Sequence, residues 1–368
     1  MPLPPFEFAT AGRVIFGPGT ASRLDAIVAE FGSKPFHVGG SRSGAPFVVR
    51  GEPTVSLVRE GAALCRELGC DVVIGTGGGS VIDAAKAIAI LAANVGDPLD
   101  YLEVVGRGQP FLRPGLPFIA VPTTAGTGSE VTRNAVLGSP EHGVKASLRS
   151  VWMLPRVAVV DPLLTLDLPR EITISTGLDA LTQLIEPYVS CRANAFTDAL
   201  CLDGIRRVSQ ALPRLARNGQ DAEARAEMSY GALLGGMALA NAGLGVVHGF
   251  AAPIGGRFEA PHGSVCAALL PHGMAANVRA LRERGLSVER FQRVAQVLTN
   301  NVDASAEDGV AWVQALCSEL RVPGLGAFGL SDADIAEVVA LAEKASSMKA
   351  NPVALSRPEL SRILREAL

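Results

Sequence analysis

The chain has 368 residues, of which 48% are hydrophobic and 19% are charged, and its 33 basic and 36 acidic side chains give a formal net charge of −3. A chain of this length predicts about two domains with a large buried core. The near balance of charge argues against nucleic acid or a membrane surface as a partner, and the high apolar content excludes a disordered chain. We therefore expect a compact, soluble protein.

Cysteine usage indicates the compartment. Six cysteines are scattered along the chain without a Cys-x-x-Cys pair, which predicts free thiols in a reducing environment. The first residues lack the basic start and apolar core of a signal peptide. We therefore expect a cytoplasmic protein.

The N-terminal part alternates two kinds of pattern. Short apolar runs are typical of buried parallel strands, and helical periodicity separates them. The expected strands are Lys34–Gly39, Asp71–Gly75, Pro117–Val121 and Val157–Val160, and the expected helices are Val55–Leu68 and Val81–Ala93. This alternation predicts an α/β domain with an open parallel sheet and helices on its faces.

The pattern changes after Asp161, because nearly every segment from Thr173 onward has helical spacing. We therefore place an α/β domain at residues 1–165 and an all-helical domain at residues 166–368. One segment of the helical part, Gly231–Gly256, carries no formal charge and is long enough to cross a bilayer. Its eight glycines, one histidine, one asparagine and one proline instead favour a buried helix followed by a glycine-rich loop.

Two glycine-rich segments follow expected strands. The first, Gly75–Ser80, precedes a helix, where consecutive glycines leave backbone N–H groups open to an anion. It lacks the Gly-Lys-Ser/Thr ending of a P-loop and the last glycine of a Gly-x-Gly-x-x-Gly fingerprint. In the second segment, Val121–Val131, small hydroxylated residues and glycines follow the end of a strand. Together they predict two loops that close on one dinucleotide.

A third group lies in the helical part. Asp179 and Gln183 are four residues apart and so share a helix face, and His248 and His262 could converge on the same point. One carboxylate and two imidazoles are a plausible set for one divalent metal ion. A buried histidine that binds no metal remains the alternative interpretation.

These blocks, in this order, resemble the iron-containing (group III) alcohol dehydrogenase family over nearly the whole chain. The segments that carry the resemblance are GGGSVIDAAK, PTTAGTGSE, DPLLTLDLP, GLDALTQLIEPYVS, NAGLGVVHG and PHG. The resemblance implies a Rossmann-like, dehydroquinate synthase-like α/β domain and an all-α domain. It also implies reversible hydride transfer between a nicotinamide cofactor and an alcohol/carbonyl pair in the cleft between the domains.

The resemblance further implies roles for individual residues. Asp179, His248 and His262 would surround the reacting oxygen as catalytic residues, and they would bind a divalent iron or zinc ion together with Gln183. The pyrophosphate would lie on the glycine turn, with other residues along the helix start, the nicotinamide ribose and the phosphates. The expected cofactor residues are Gly77, Gly78, Gly79, Ser80, Asp83, Thr123, Thr124, Ser129 and Lys145.

The chain departs from the family pattern at the metal site. Gln183 stands where a second histidine ligand is usual, and an amide oxygen is a weaker ligand than imidazole. Ala252 stands where the family often has a histidine in the proton path. We therefore expect an altered site in which the metal is weakly bound or absent. Metal-independent reduction of the maleylacetate reductase type and a non-catalytic nucleotide-binding protein are the two alternatives.

The segment from residue 40 to 54 is short for a crossover between parallel strands and lacks a helical pattern. It also bears on the choice of cofactor. Gly40, Ser41 and Arg42 stand where NAD-preferring relatives tend to have an aspartate, and a hydroxyl with a guanidinium suits a 2′-phosphate. We expect NADP(H) in preference to NAD(H), a small aldehyde, ketone or alcohol as substrate, and a homodimer.

Overall fold

The computed structural model describes residues 5–103, 105–142, 144–258 and 260–368, which form two compact units. Ala9–Asp167 form a unit of strands and helices, and residues 5–8 with Leu168–Leu368 form a helical unit. The predicted fold class is confirmed. Residues 5–8, expected in the α/β domain, group with the helices because Phe6 and Phe8 lie against Phe196, at ring-centroid distances of 6.3 and 4.5 Å.

The α/β unit is built on a six-stranded sheet in the order β1-β8-β5-β4-β2-β3, with every neighbouring pair parallel. Its strands are β1 Val14–Phe16, β2 Pro35–Gly40, β3 Phe47–Val49, β4 Val72–Gly77, β5 Phe118–Pro122 and β8 Val157–Val160. A separate antiparallel hairpin consists of β6 Asn134–Ser139 and β7 Val144–Arg149. The four predicted strands are β2, β4, β5 and β8.

The short crossover contains a strand that the sequence did not predict. β3 pairs with β2 in parallel, with Val38 opposite Phe47 and Gly40 opposite Val49, and residues 41–46 join the two strands without a helix. The connection is possible because the pairing is only three residues long. The chain has to travel back only about 7 Å along the strand direction, which six residues span with ease.

Helices cover the sheet of this unit. They are α1 Leu24–Ala29, α2 Val55–Glu67, α3 Gly79–Ala93 and α4 Pro98–Tyr101. α3 is buried along most of its length, as its run of alanines and isoleucines predicts. Thr54 caps α2 by accepting a hydrogen bond from the Leu57 N–H, so this helix begins at the predicted residue.

The second unit is a set of packed helices. They are α5 Arg170–Val189, α6 Ala195–Arg217, α7 Ala222–Ala242, α8 Val246–Arg257, α9 His262–Glu283, α10 Glu289–Thr299, α11 Ala306–Leu320, α12 Ile335–Ala342 and α13 Arg357–Glu366. α5 packs on α6, α7 and α9, and it is buried from Gly177 to Val189.

The charge-free segment forms the end of α7 and most of α8. Among the described residues, no single helix has both the length and the apolar composition needed to cross a membrane, although α7 and α8 taken jointly meet that test, with a bend of 99° at the break. The prediction of a glycine-rich loop after the first helix is therefore wrong, because the second half of the charge-free segment forms the helix α8. Gly249 illustrates the reason: a Cβ there would lie 2.6 Å from Met348 Cε, so tertiary packing outweighs the low helix propensity of glycine.

Candidate active site

The first glycine-rich segment forms the turn between β4 and α3. Gly78 precedes the helix in an extended conformation and provides no side chain to cap it. The first N–H groups of a helix have no partner within the helix, and the helix dipole adds partial positive charge at this end. The turn that contains Gly77, Gly78, Gly79 and Ser80 can therefore bind an anion such as a pyrophosphate.

The second segment lies directly against this turn. Thr123 N–H donates to the Gly77 carbonyl at 2.9 Å. A Cβ at Gly78 would lie 3.2 Å from Thr124 Cγ2, and one at Gly79 would lie 2.6 Å from Thr127 Oγ1. The structure thus brings together the two motifs that the sequence predicted to share one ligand, and the glycines permit that close approach.

Behind the turn, a buried polar network attaches the second segment to α3. Asp83 accepts hydrogen bonds from the Ser129 hydroxyl and, at 2.9 Å, from the Val136 N–H. Lys86 Nζ contacts Ser129 Oγ at 2.9 Å and Thr132 Oγ1 at 3.0 Å. Asp83 and Ser129, both predicted to bind the cofactor, use these side-chain atoms to hold the second segment against α3. We interpret them as residues that shape the site.

Lys86 is a residue that the sequence reasoning missed. Burial lowers the pKa of its ammonium group to about 8, although the carboxylates of Asp83 and Glu130 oppose the shift. Burial likewise raises the pKa of Glu130 to about 7. A lysine three residues after an aspartate, inside an otherwise apolar helix, is the sequence signal that could have revealed the pair of Asp83 and Lys86.

Two other predicted cofactor positions lie in the same unit. Lys145, on β7, pairs with Glu52 at 3.5 Å, and its side chain is largely buried. Gly40 ends β2, and Ser41 and Arg42 follow it in a tight turn closed by the Ser43 N–H, which donates to the Gly40 carbonyl at 3.0 Å. No carboxylate stands in this turn.

In the helical unit, three helices bring four potential metal ligands together. α5 provides Asp179, α8 provides His248, and α9 provides His262 and Cys266 one turn apart. One ligand atom from each residue lies within 4.8 Å of the others. Three of the four predicted ligands are thus in one cluster, joined by a cysteine that the sequence reasoning did not select.

The spacing of these atoms fits a tetrahedral metal ion. Asp179 Oδ1 lies 3.3 Å from His248 Nε2 and 3.7 Å from His262 Nε2. Cys266 Sγ lies 3.8 and 3.7 Å from the same two nitrogen atoms. Metal–nitrogen and metal–sulfur bonds of about 2.1 and 2.3 Å place tetrahedral ligands about 3.4–3.7 Å apart. These four separations are close to those of neighbouring ligands around one metal ion.

Two buried oxygen atoms, one in this cluster and one four residues further along α5, support a bound cation. Within the described part of the chain, Asp179 Oδ1 and Gln183 Oε1 are buried without a hydrogen-bond partner. Burial alone would raise the pKa of Asp179, but His262, His248 and the Gln183 amide lower it. Burial would lower the pKa of His262, yet Cys266 and Asp179 raise it to about 9. A buried carboxylate oxygen that lacks a hydrogen bond and lies beside two imidazoles is an environment that a cation satisfies.

Cys266 corrects the expectation of an altered, weakened metal site. That expectation rested on Gln183 as the fourth ligand, whereas the cluster has four strong donor atoms without the amide. A thiolate is a far better ligand than an amide oxygen for zinc or iron. The weakened site is therefore not supported. The signal in the sequence was the spacing of His262 and Cys266, four residues apart and so on one helix face.

Comparison with known proteins agrees with both units. Residues 11–162 match the family profile described as iron-containing alcohol dehydrogenase, and residues 173–368 match the Fe-containing alcohol dehydrogenase family, C-terminal. The chain is 36% identical over 325 residues to 1,3-propanediol dehydrogenase of Klebsiella pneumoniae, which covers 87% of this chain and 81% of that protein. It is 34% identical over 323 residues to NAD-dependent methanol dehydrogenase of Bacillus methanolicus, covering 86% and 82% of the two proteins.

A solved structure gives the same result. The alcohol dehydrogenase from Oenococcus oeni is similar with a TM-score of 0.91 at 30% sequence identity, covering 99% of this chain and 100% of that chain. Sequence, fold and the cluster of ligating side chains all lead to one conclusion. The chain belongs to the iron-containing alcohol dehydrogenase family.

Proposed function

We propose that this alcohol dehydrogenase interconverts a small primary alcohol and its aldehyde, with NADP(H) as the preferred cofactor and a zinc ion held by Asp179, His248, His262 and Cys266. The observation that carries the proposal is the four-atom cluster, which is buried except at the partly exposed His262 and whose separations suit neighbouring ligands around one ion. The small substrate is supported by the relatives named for 1,3-propanediol and methanol. The sulfur atom of Cys266 favours zinc, because soft sulfur ligands select this metal over harder ones.

The chain's own residues provide the binding and positioning that hydride transfer needs. The glycine turn before α3 offers N–H groups to the pyrophosphate, and Thr123 and Thr124 stand beside it for the nicotinamide half of the cofactor. Asp179 provides a carboxylate and Cys266 a sulfur atom beside the two imidazoles. A divalent cation bound by the cluster would act as a Lewis acid by accepting the substrate oxygen as a further ligand.

The proposal is tested by metal content and turnover together. Protein purified without chelator is expected to contain about one zinc per chain and to oxidise 1,3-propanediol with NADP⁺. Removal of the metal should lower kcat by several orders of magnitude, since Lewis acids contribute several kcal/mol to charge stabilisation. Zinc should restore the rate. Full activity at zero metal, or metal-loaded protein that oxidises no alcohol in a broad panel, would contradict the proposal.

The NADP(H) preference predicts a specific role for Arg42. The turn after β2 contains a hydroxyl and this guanidinium but no carboxylate, and Arg42 forms no ion pair with any of the described residues. Arg42→Ala is expected to raise the KM for NADP⁺ about tenfold through loss of a charge-assisted contact, while the KM for NAD⁺ stays unchanged. Steady-state kinetics with both cofactors measure this, and an equal change for the two would disprove the 2′-phosphate contact.

A further inference from the structure

We propose that Glu186 is a positioning residue of the metal centre, which fixes the ring of His248 so that Nε2 faces the other ligands. The proposal rests on the proposed metal site and deepens it. Glu186 lies on α5, seven residues after Asp179, so two helical turns bring both carboxylates to one face of the helix. α5 thus carries the proposed ligand Asp179 and, two turns later, Glu186, which contacts the proposed ligand His248 on α8.

Both carboxylate oxygens of Glu186 are occupied. Oε2 lies 2.7 Å from His248 Nδ1, and Oε1 accepts a hydrogen bond of 2.7 Å from the Val247 N–H. The Glu186 side chain is 7% exposed and that of His248 is 6% exposed, so water has little access to compete for these contacts. A carboxylate on Nδ1 retains the proton there and leaves Nε2 as the atom that can bind a metal.

The same carboxylate also fixes the start of α8. The Val246 N–H donates to Asn351 Oδ1 at 3.1 Å, and the next N–H, of Val247, donates to Glu186. A Cβ at Gly245 would lie 2.9 Å from Glu186 Oε1, so this glycine allows the approach. Negative charge is favourable at a helix N-terminus. Glu186 therefore positions the backbone that carries His248 as well as the imidazole ring.

The chemistry of the contact predicts why glutamine cannot replace Glu186. A carboxylate accepts hydrogen bonds at both oxygens, whereas an amide has one acceptor oxygen and one NH₂ donor. Two N–H groups face this side chain, so the amide must direct NH₂ toward one of them. Either the cap of α8 is lost, or the imidazole adopts the tautomer with its proton on Nε2, which removes a metal ligand.

The test compares Glu186→Gln with Ser190→Ala, titrating each protein with zinc alone in competition with a chromogenic chelator. Ser190 is a matched control because it is buried at the end of the same helix, where its hydroxyl donates to the Ala242 carbonyl at 2.7 Å. Glu186→Gln is expected to weaken zinc binding 10–100-fold, the effect usual for a residue that orients a ligand. Ser190→Ala should bind zinc with the affinity of the unmodified protein.

A second measurement separates positioning from general loss of structure. The chain has five histidines, so ¹⁵N-histidine labelling gives a spectrum simple enough to assign. In the zinc-loaded protein, His248 should carry its proton on Nδ1, and Glu186→Gln should shift this signal while that of His37 stays unchanged. Equal zinc affinity for Glu186→Gln and the unmodified protein, or an equal loss in Ser190→Ala, would overturn the proposal alone. An unmodified protein that binds no zinc would overturn the metal centre itself.

Discussion

Cys266→Ala is expected to abolish stable zinc binding, whereas Gln183→Ala is expected to retain it. Cys266 Sγ lies 3.7–3.8 Å from the metal-facing nitrogen atoms of both histidines, the separation of neighbouring ligands around one ion. Loss of a direct ligand should weaken binding by more than the 10–100-fold typical of a residue that only orients one. We therefore expect at least a hundredfold lower zinc affinity and a similar loss of kcat/KM for alcohol oxidation.

Gln183→Ala is the informative comparison, because the two variants distinguish the two candidates for the fourth ligand. Gln183 Oε1 is buried in the same region, and the amide helps to lower the pKa of Asp179. Its removal should change zinc affinity by less than tenfold if it only supports Asp179. Elemental analysis and competition titration measure both proteins. A Gln183→Ala protein that loses its zinc while Cys266→Ala retains it would restore the original assignment of Gln183 as a ligand.

The fold was predictable where its signal was long or strongly patterned. Buried strands such as β4 and helices such as α3 have continuous apolar runs or sustained periodicity. β1 and β3 were missed because a strand of three residues is too short to show alternation. α8 was interpreted as a loop because it contains glycines and a proline, whose low helix propensity the surrounding packing overcomes.

The site was predictable to the extent that its residues belong to recognisable motifs. Asp179, His248 and His262 came from such motifs, and the structure brings them together. Cys266, Glu186 and Lys86 were missed because their importance depends on contacts between separate helices or segments. Helical spacing shows that a residue lies on the same helix face as a recognised one. It does not reveal which residue of another helix or segment that face contacts. That information requires the packing of α5, α8 and α9 and of the segment behind α3.

Lys86→Met should destabilise the α/β unit strongly. The Lys86 side chain is fully buried, and its ammonium group contacts Ser129 and Asn134 carbonyls at 2.8 and 2.7 Å in addition to two hydroxyls. Methionine preserves the volume but leaves the largely buried carboxylate of Asp83, whose side chain is 15% exposed, without its cation. Removing one partner of a buried ion pair typically costs about 3–5 kcal/mol. Because Ser129 belongs to the segment that we propose to contact the cofactor, the KM for the cofactor should also rise.

Urea denaturation can measure this loss in the α/β unit alone, because the chain's two tryptophans, Trp152 and Trp312, lie in different units. In a Trp312→Phe background, fluorescence reports on the α/β unit. Arg59→Met is the matched control: it breaks the exposed Arg59–Asp97 pair, which should contribute less than about 1 kcal/mol. Adding Asp83→Asn to Lys86→Met should recover part of the lost stability, since the uncompensated charge is gone. A loss for Lys86→Met no larger than that for Arg59→Met would show that the buried network does not stabilise the segment.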